Sequence, residues 1–482
     1  MAMARCGGED EYAKLVRGMN PPRVVIDNEA SDDATVIRVD SVSSHGTLLA
    51  VVQVIADLDL VIRKAYFSSD GSWFMDVFYV TDRHGLKVLD PHTISYIQTT
   101  LEEDDWYYPE EEGMRKRTTV GIMAAEEYTV IELTGTDRPG LLSEVCAVLA
   151  AMGCAVRSAE LWTHNARVAA VVHVTDAHDP DAAIAADESR VAAITSRLST
   201  LLRSPSCAVR AASPPLTHME RRLHQMMFDD RDFVSAAGDA DASPAAEVTV
   251  TPCEERGYTA VVVRCRDRPK LLFDTVCTIT DMQYAIHHGA VSSVGEQPAG
   301  VAYQEYYIRH VDGEPLTSEA ERRRVARCLQ AAIERRAVAA DAVVALEVRS
   351  GDRAGLLSDV TRIFRENGLT IRRAEITTAS PEGRGGDGEA VDTFYVSDPA
   401  GNPVEAKTIE AIREQIGEAT LRVKHNPFAA AGDGDGDGGG GGGDKRRRSG
   451  GDDVAGSTAF LFGNLFKFYR PFQNFSLIKL YS

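Results

Sequence analysis

An α+β fold of tandem ferredoxin-like βαββαβ units is what the sequence predicts, on three observations. An apolar strand, a short polar turn and an amphipathic helix recur four times: VIRVDSVSSHGTLLAVVQVI from Val36, VIELTGTDRPGLLSEVCAVL from Val130, VVVRCRDRPKLLFDTVCTI from Val261 and ALEVRSGDRAGLLSDVTRIF from Ala345. Each helix is followed by a second apolar stretch, such as GLTIRRAEITTA from Gly368, and then a third, such as AVDTFYVSD from Ala390. The fourth copy continues into a second helical pattern, EAKTIEAIREQIGE from Glu405, and a last strand-like LRVKH.

In that copy Leu356, Leu357, Val360, Ile363 and Phe364 fall on one helix face, and Asn367-Gly368 supplies a C-terminal stop. The turn positions Gly46, Gly140, Lys270 and Gly355 stand 94, 130 and 85 residues apart, so each unit has room for about 80 residues and the long gap holds an insert. The expected organisation is an N-terminal segment 1–32, units at 33–115, 125–203, 257–338 and 341–425, and a linker 204–256 carrying a helix at HMERRLHQMMFDDRDF. Residues 432–456 hold 12 of the 39 glycines and six aspartates, a composition that cannot bury a core, and are expected to be a disordered linker. The aromatic and basic tail 457–482 is expected to dock on a repeat, a partner or an anionic surface.

Composition narrows the function. With 52 Lys and Arg against 72 Asp and Glu, a net charge of -20 argues against a nucleic-acid backbone as the main ligand. The eight cysteines include no Cys-x-x-Cys pair and no zinc spacing, and read as reduced thiols. The N-terminus carries acids where a signal peptide carries an apolar stretch, and no run of about 18 apolar residues occurs. The cytoplasm is the expected compartment, with nuclear entry left open by the run Lys445–Arg448.

No phosphate loop, nucleophile elbow or metal-binding His-Glu-x-x-His helix is present, so neither a catalytic role nor a cofactor is expected. His178-Asp179 lies in a Pro-flanked turn, and the adjacent His287 and His288 should point to opposite faces of a strand, which disfavours joint metal ligation. The repeated turn is the chemical candidate. Amides at a helix N-terminus favour an anion, and in Thr136-Asp137-Arg138-Pro139-Gly140 the aspartate suits an N-cap, the proline a first turn, and the glycine a close approach of ligand to backbone. The same residues also suit any tight strand-to-helix turn.

This turn, set in βαββαβ units, resembles the ACT domain, the small ligand-sensing module of amino-acid metabolism. Four copies without a catalytic domain resemble the ACT-domain-repeat (ACR) proteins of plants, and the arrangement is similar to the sensory end of the bacterial uridylyltransferase. The resemblance spans residues 20–482 and includes AYFSSDGSWFMDVFYVTD from Ala65, the connector from Glu220 and the tail from Phe460. It implies a regulatory amino-acid sensor with the ligand at the junction of two domains, touching Asp137, Pro139, Gly140 and Leu141 of the second copy and Asp352, Gly355 and Leu356 of the fourth. Fifteen places after the turn, where serine-binding ACT domains carry asparagine, stand Val61, Ala155, Ala285 and Thr370, of which only Thr370 is polar. The implied partners are a free amino acid and a second copy or another protein. The alternative is a non-catalytic scaffold of ACT-like units that no longer bind ligand.

Overall fold

A computed structural model describes residues 22–42, 45–70, 73–102, 128–179, 184, 187–202, 208–212, 218–228, 246–253, 256–294, 300–336, 343–351, 353, 355–379 and 389–424. Asp352 and the segments 432–456 and 457–482 lie outside the described residues.

Among the described residues, two antiparallel eight-stranded sheets carry the fold. The first runs in the order β1 (Arg23–Asp27), β2 (Thr35–Val42), β4 (Trp73–Thr81), β3 (Val61–Ser69), β11 (Tyr284–Val294), β12 (Val301–His310), β10 (Tyr258–Arg266), β9 (Ala246–Cys253). The second runs β16 (Leu421–Lys424), β13 (Val344–Gly351), β15 (Glu389–Ser397), β14 (Thr370–Ala379), β6 (Cys154–His164), β7 (Arg167–Asp176), β5 (Thr129–Thr136), β8 (Ala208–Ala212). Units one and three therefore share one sheet through β3 and β11, and units two and four share the other through β6 and β14.

Side-chain size is matched at several pairs of these two seams. Gly289 opposes Phe67, Ala65 opposes Val291, Ala374 opposes Leu161 and Ala159 opposes Ile376, so a small residue meets a larger one at these four pairs. A Cβ on Gly289 would lie 2.8 Å from the Phe67 ring and 3.0 Å from the Glu305 carbonyl, which leaves glycine as the residue that fits.

Units two and four follow the expected βαββαβ order. Units one and three do not: their edge strands β1 and β9 come from ahead of the unit, within the segments read as an N-terminal extension and a linker. An edge strand antiparallel to its neighbour can be delivered from either chain end, and here each hairpins directly into the unit's first strand. Pro252 on β9 suits such an edge, where a missing N–H costs nothing. The linker thus supplies β8 to unit two and β9 to unit three, with a helix between them.

Helices α1 (Thr47–Asp57), α2 (Pro91–Glu102), α6 (Leu271–Asp281) and α7 (Glu319–Arg336) form a common core with the first sheet. Helices α3 (Leu141–Ala151), α4 (Glu188–Leu202), α8 (Leu356–Glu366) and α9 (Ala406–Ile416) do so with the second. The linker helix α5 (Met219–Met227) lies against β6 and β7 and also meets α6, burying Leu223 and Met227 among Tyr128, Val130, Trp162, Ala169 and Val171. No described helix is long and apolar enough to cross a membrane.

Candidate ligand-binding seams

Each of the four turns ends in a residue with left-handed backbone at the helix N-cap: Gly46 at φ 92°, Gly140 at 80°, Lys270 at 59° and Gly355 at 85°. Glycine adopts this conformation freely, whereas lysine costs about 1 kcal/mol. The expectation that Asp137 caps the helix and Pro139 opens its first turn is corrected by this geometry. Gly140 is itself the N-cap and α3 has no side-chain cap, while Asp137 stands three residues earlier with its N–H on the Ala166 carbonyl at 2.8 Å. In unit four the Leu356 N–H turns back to Arg353 O at 3.1 Å, and Asp359 N–H is bonded to Gly355 O at 2.9 Å. Helix termini leave the N–H groups between such positions without intrahelical partners, and here those belong to Leu357 and Ser358.

Across each seam a turn faces the start of the partner unit's second strand, and the four junctions differ. The turn of unit one and β11 of unit three enclose a cavity of about 250 Å³ lined by Gly46, Thr47, Asp76, Ala285 and His287. The turn of unit four and β6 of unit two enclose about 150 Å³ lined by Gly355, Leu356, Ala155, Arg157 and Asp392. The turn of unit two retains only about 20 Å³ and that of unit three about 30 Å³.

The residue ten places after the turn accounts for much of this. Ala150 and Thr280 border the open cavities. At the same place in unit four stands Arg365, whose Cδ would lie 2.6 Å from a Cβ on Gly140, so its stem covers the second turn. In unit three the turn is engaged by the protein itself: Lys270 donates to Glu220 of α5 at 2.6 Å, and Leu60, Ile62 and Phe273 narrow the space.

The site residues expected from the sequence are therefore divided. Gly355 and Leu356 line an open cavity. Asp137, Gly140 and Leu141 line the remnant under Arg365, where burial pushes the Asp137 carboxyl up against the opposing effect of Arg372. Pro139 lies between these in sequence but does not line that remnant, and Thr370 is buried with its hydroxyl unbonded, away from both open cavities. Asp352 lies outside the described residues.

Two features went unread in the sequence. A β-bulge falls at the same place in all four second strands, at Arg63, Arg157, His287 and Arg372. It breaks strict alternation, so His287 and His288, expected on opposite faces, both pack on Tyr258 with ring centroids 5.4 and 5.5 Å away. The bulge also places Arg157 and His287 at the walls of the open cavities. Burial pushes the His287 imidazole down, favouring its neutral form.

The second feature is acidic. Asp76 on β4 and Asp392 on β15 occupy equivalent strand positions, opposite Val39 and Val348, and are 3% and 2% exposed. Both line open cavities. Alternation within FMDVFYVT and AVDTFYVS, with a charge between two inward aromatic or small residues, was the signal that marked them. Asp76 accepts the Ser68 backbone N–H, and burial still holds its carboxyl well above the usual carboxylate range. Among the described residues no group of three or more His, Cys, Asp or Glu side chains is placed to hold a metal ion.

Paired βαββ-based units with cavities where a helix N-terminus meets a neighbouring strand define the class of ACT-domain proteins. Residues 129–186 and 344–414 match the ACT domain, and residues 30–107 match the ACR family N-terminal ACT domain. The chain belongs to the ACR family. It is 55% identical over 421 residues to the ACT domain-containing protein ACR6 of Arabidopsis thaliana, spanning 86% of this chain and 92% of that one. To ACR4 of the same plant it is 48% identical over 482 residues, spanning 98% of each. A stretch of 81 residues, 17% of this chain, is 42% identical to the bifunctional uridylyltransferase/uridylyl-removing enzyme of Gluconobacter oxydans, of which it covers 8%. Fold and family assign a regulatory, ligand-binding role.

Proposed function

We propose that this protein is a non-catalytic sensor of free amino acids, and that two of its four turns, those of units one and four, are the working seats. The observation that carries the reading is the pair of open seam cavities, each roofed by the free amides of a helix N-terminus and bordered by Ala285 or Ala155, which leave room for a ligand. A carboxylate seated on those amides touches both members of a domain pair. Binding then favours one arrangement of the pair, and the coupling, on the order of 1 to 3 kcal/mol, passes to a protein partner. Action in the cytoplasm, or in the nucleus by way of Lys445–Arg448, belongs to the same proposal.

Isothermal titration of the full-length protein with each standard amino acid tests it. A saturable response with at least one is expected, and none with any contradicts the reading. The scaffold reading keeps one observation in its favour, the filling of two seams by Arg365 and by the Lys270 turn. A scaffold retains its protein partner and shows no amino-acid response.

A further inference from the structure

We propose that Asp76 and Asp392 are the ammonium-binding residues of the two open seams, and that they restrict these seats to α-amino acids rather than to carboxylates in general. This rests on the sensor reading above. Comparison within the chain carries it. At the strand position held by Asp76 and Asp392, unit two has Ala170 and unit three has Gln304, seen from their pairings with Leu133 and Val263. The aspartates thus occur in the two units whose turns roof an open cavity and are absent from the two whose turns are covered.

Asp76 is not explained by packing. Asp76 sits between Phe74 and Phe78 on the core-facing side of β4, where an apolar residue would avoid the cost of burying a carboxylate. Gln304, its counterpart in unit three, instead accepts the Tyr306 hydroxyl at 2.9 Å and is satisfied internally. A second polar group in the unit-one cavity awaits a partner: Thr47, the first residue of α1, is 4% exposed and its hydroxyl has no hydrogen-bond partner. A helix N-terminus alone seats any anion. Amides and a hydroxyl at one wall, with a buried carboxylate at another, suit a ligand that carries both signs of charge.

Proton traffic separates this assignment from a structural role. The ionisable groups lining the Asp76 cavity are His45 from the turn, Tyr284 and His287 from β11, and His310 from β12, the last paired with Glu321 at 3.1 Å. Desolvation pushes His45 and His287 down, which favours their neutral forms, while Asp76 is held well above the carboxylate range. An ammonium docking on Asp76 favours its ionised form and expels a proton.

The test titrates the whole protein with the amino acid that gives the largest heat, and with its deaminated counterpart, propionate for alanine or 4-methylpentanoate for leucine, in phosphate and in Tris. The expected result is a drop of about 30-fold or more in affinity for the deaminated acid, a similar drop at the unit-one seat in Asp76→Asn and at the unit-four seat in Asp392→Asn. Proton release should also be greater in wild type than in Asp76→Asn. Equal affinity for the two ligands, unchanged amino-acid binding in both variants, or equal proton counts would overturn the assignment while leaving a carboxylate or amino-acid sensor in place. The absence of any wild-type amino-acid response would remove the sensor reading along with it. On wild type alone, proton release with the amino acid should exceed that with its deaminated counterpart, a comparison that needs no variant to fold.

Discussion

At the scale of single residues, the open seams are places where a side chain is kept against the interest of stability. Asp76 is the clearest case. A buried carboxyl raised above its unfolded value binds more protons in the folded state, so its contribution to stability is present at low pH and is lost as pH rises through the folded value. Asp76→Asn should therefore melt at or above the wild-type temperature at pH 7 while losing ligand, a pairing of effects that scanning calorimetry and titration together would detect. Melting well below wild type would mean that Asp76 supports the fold. Gly289 is the opposite case, a residue held by packing alone. With Phe67 2.8 Å from the Cβ it lacks, Gly289→Ala should cost about 1 to 3 kcal/mol in urea unfolding and loosen the β3–β11 seam. A loss below about 0.5 kcal/mol would show that the seam yields.

At the scale of elements, strand-turn-helix repetition was legible because period and turn chemistry are local. The helix of unit four begins at Leu356, ends at Glu366 and stops at Asn367-Gly368, with Leu356, Val360 and Phe364 buried as the apolar spacing required. The edge strands β1 and β9 were not legible as parts of their units, since nothing local to a strand states which neighbour it pairs with. The seats were half legible for a related reason. Gly355 and Leu356 announce a turn, but whether that turn is open depends on Ala150 from another unit, and Gly140 is covered by Arg365, 225 residues away. Asp76 and Asp392 could have been found as charges on the inward face of an apolar strand. The covered turn gives an element-scale prediction. Arg365→Ala empties the seam below Gly140 but leaves Ala170 where the open seats have aspartate, so the number of amino acids bound per chain should stay unchanged. An additional site in equilibrium dialysis would show that amides alone suffice.

At the scale of the whole molecule, the linker helix joins the two domain pairs through buried charge. Glu220 of α5 accepts from Lys270 at 2.6 Å and from Arg336 at 3.0 Å, and Arg336 also reaches Asp274 at 3.1 Å. Asp274 further holds His224 at 2.8 Å and Arg268 at 2.7 Å. On the second sheet Glu160 accepts from Arg373 at 3.0 Å and from the Trp162 indole at 2.7 Å, and the Arg336 guanidinium lies 4.8 Å from the centre of the Trp162 ring. Removing one charge strands the others, so Glu220→Gln should destabilise by about 3 to 5 kcal/mol in chemical unfolding. A loss under 1 kcal/mol would mean that the cluster is dispensable. Burial pushes His164 and His173 down to about 4, and lowers His224, whose Nδ1 has no partner to receive a second N–H. Such groups stabilise the fold above the unfolded value near 6.5 and lose that contribution as pH falls toward 4, opposed by His218, raised beside Asp57, and by the carboxyls of Asp76, Asp137 and Glu160, which burial pushes up. His173→Gln should accordingly remove part of the fall in urea midpoint that these histidines cause between pH 7 and pH 4.5, read as the difference between variant and wild-type profiles, and profiles of identical shape would contradict these assignments. The whole scheme meets its most direct test in the number of amino-acid seats per chain. Equilibrium dialysis should find one seat lost in Asp76→Asn, the other lost in Asp392→Asn, and none remaining in a double variant that still folds by circular dichroism. Undiminished binding by that double variant would contradict it.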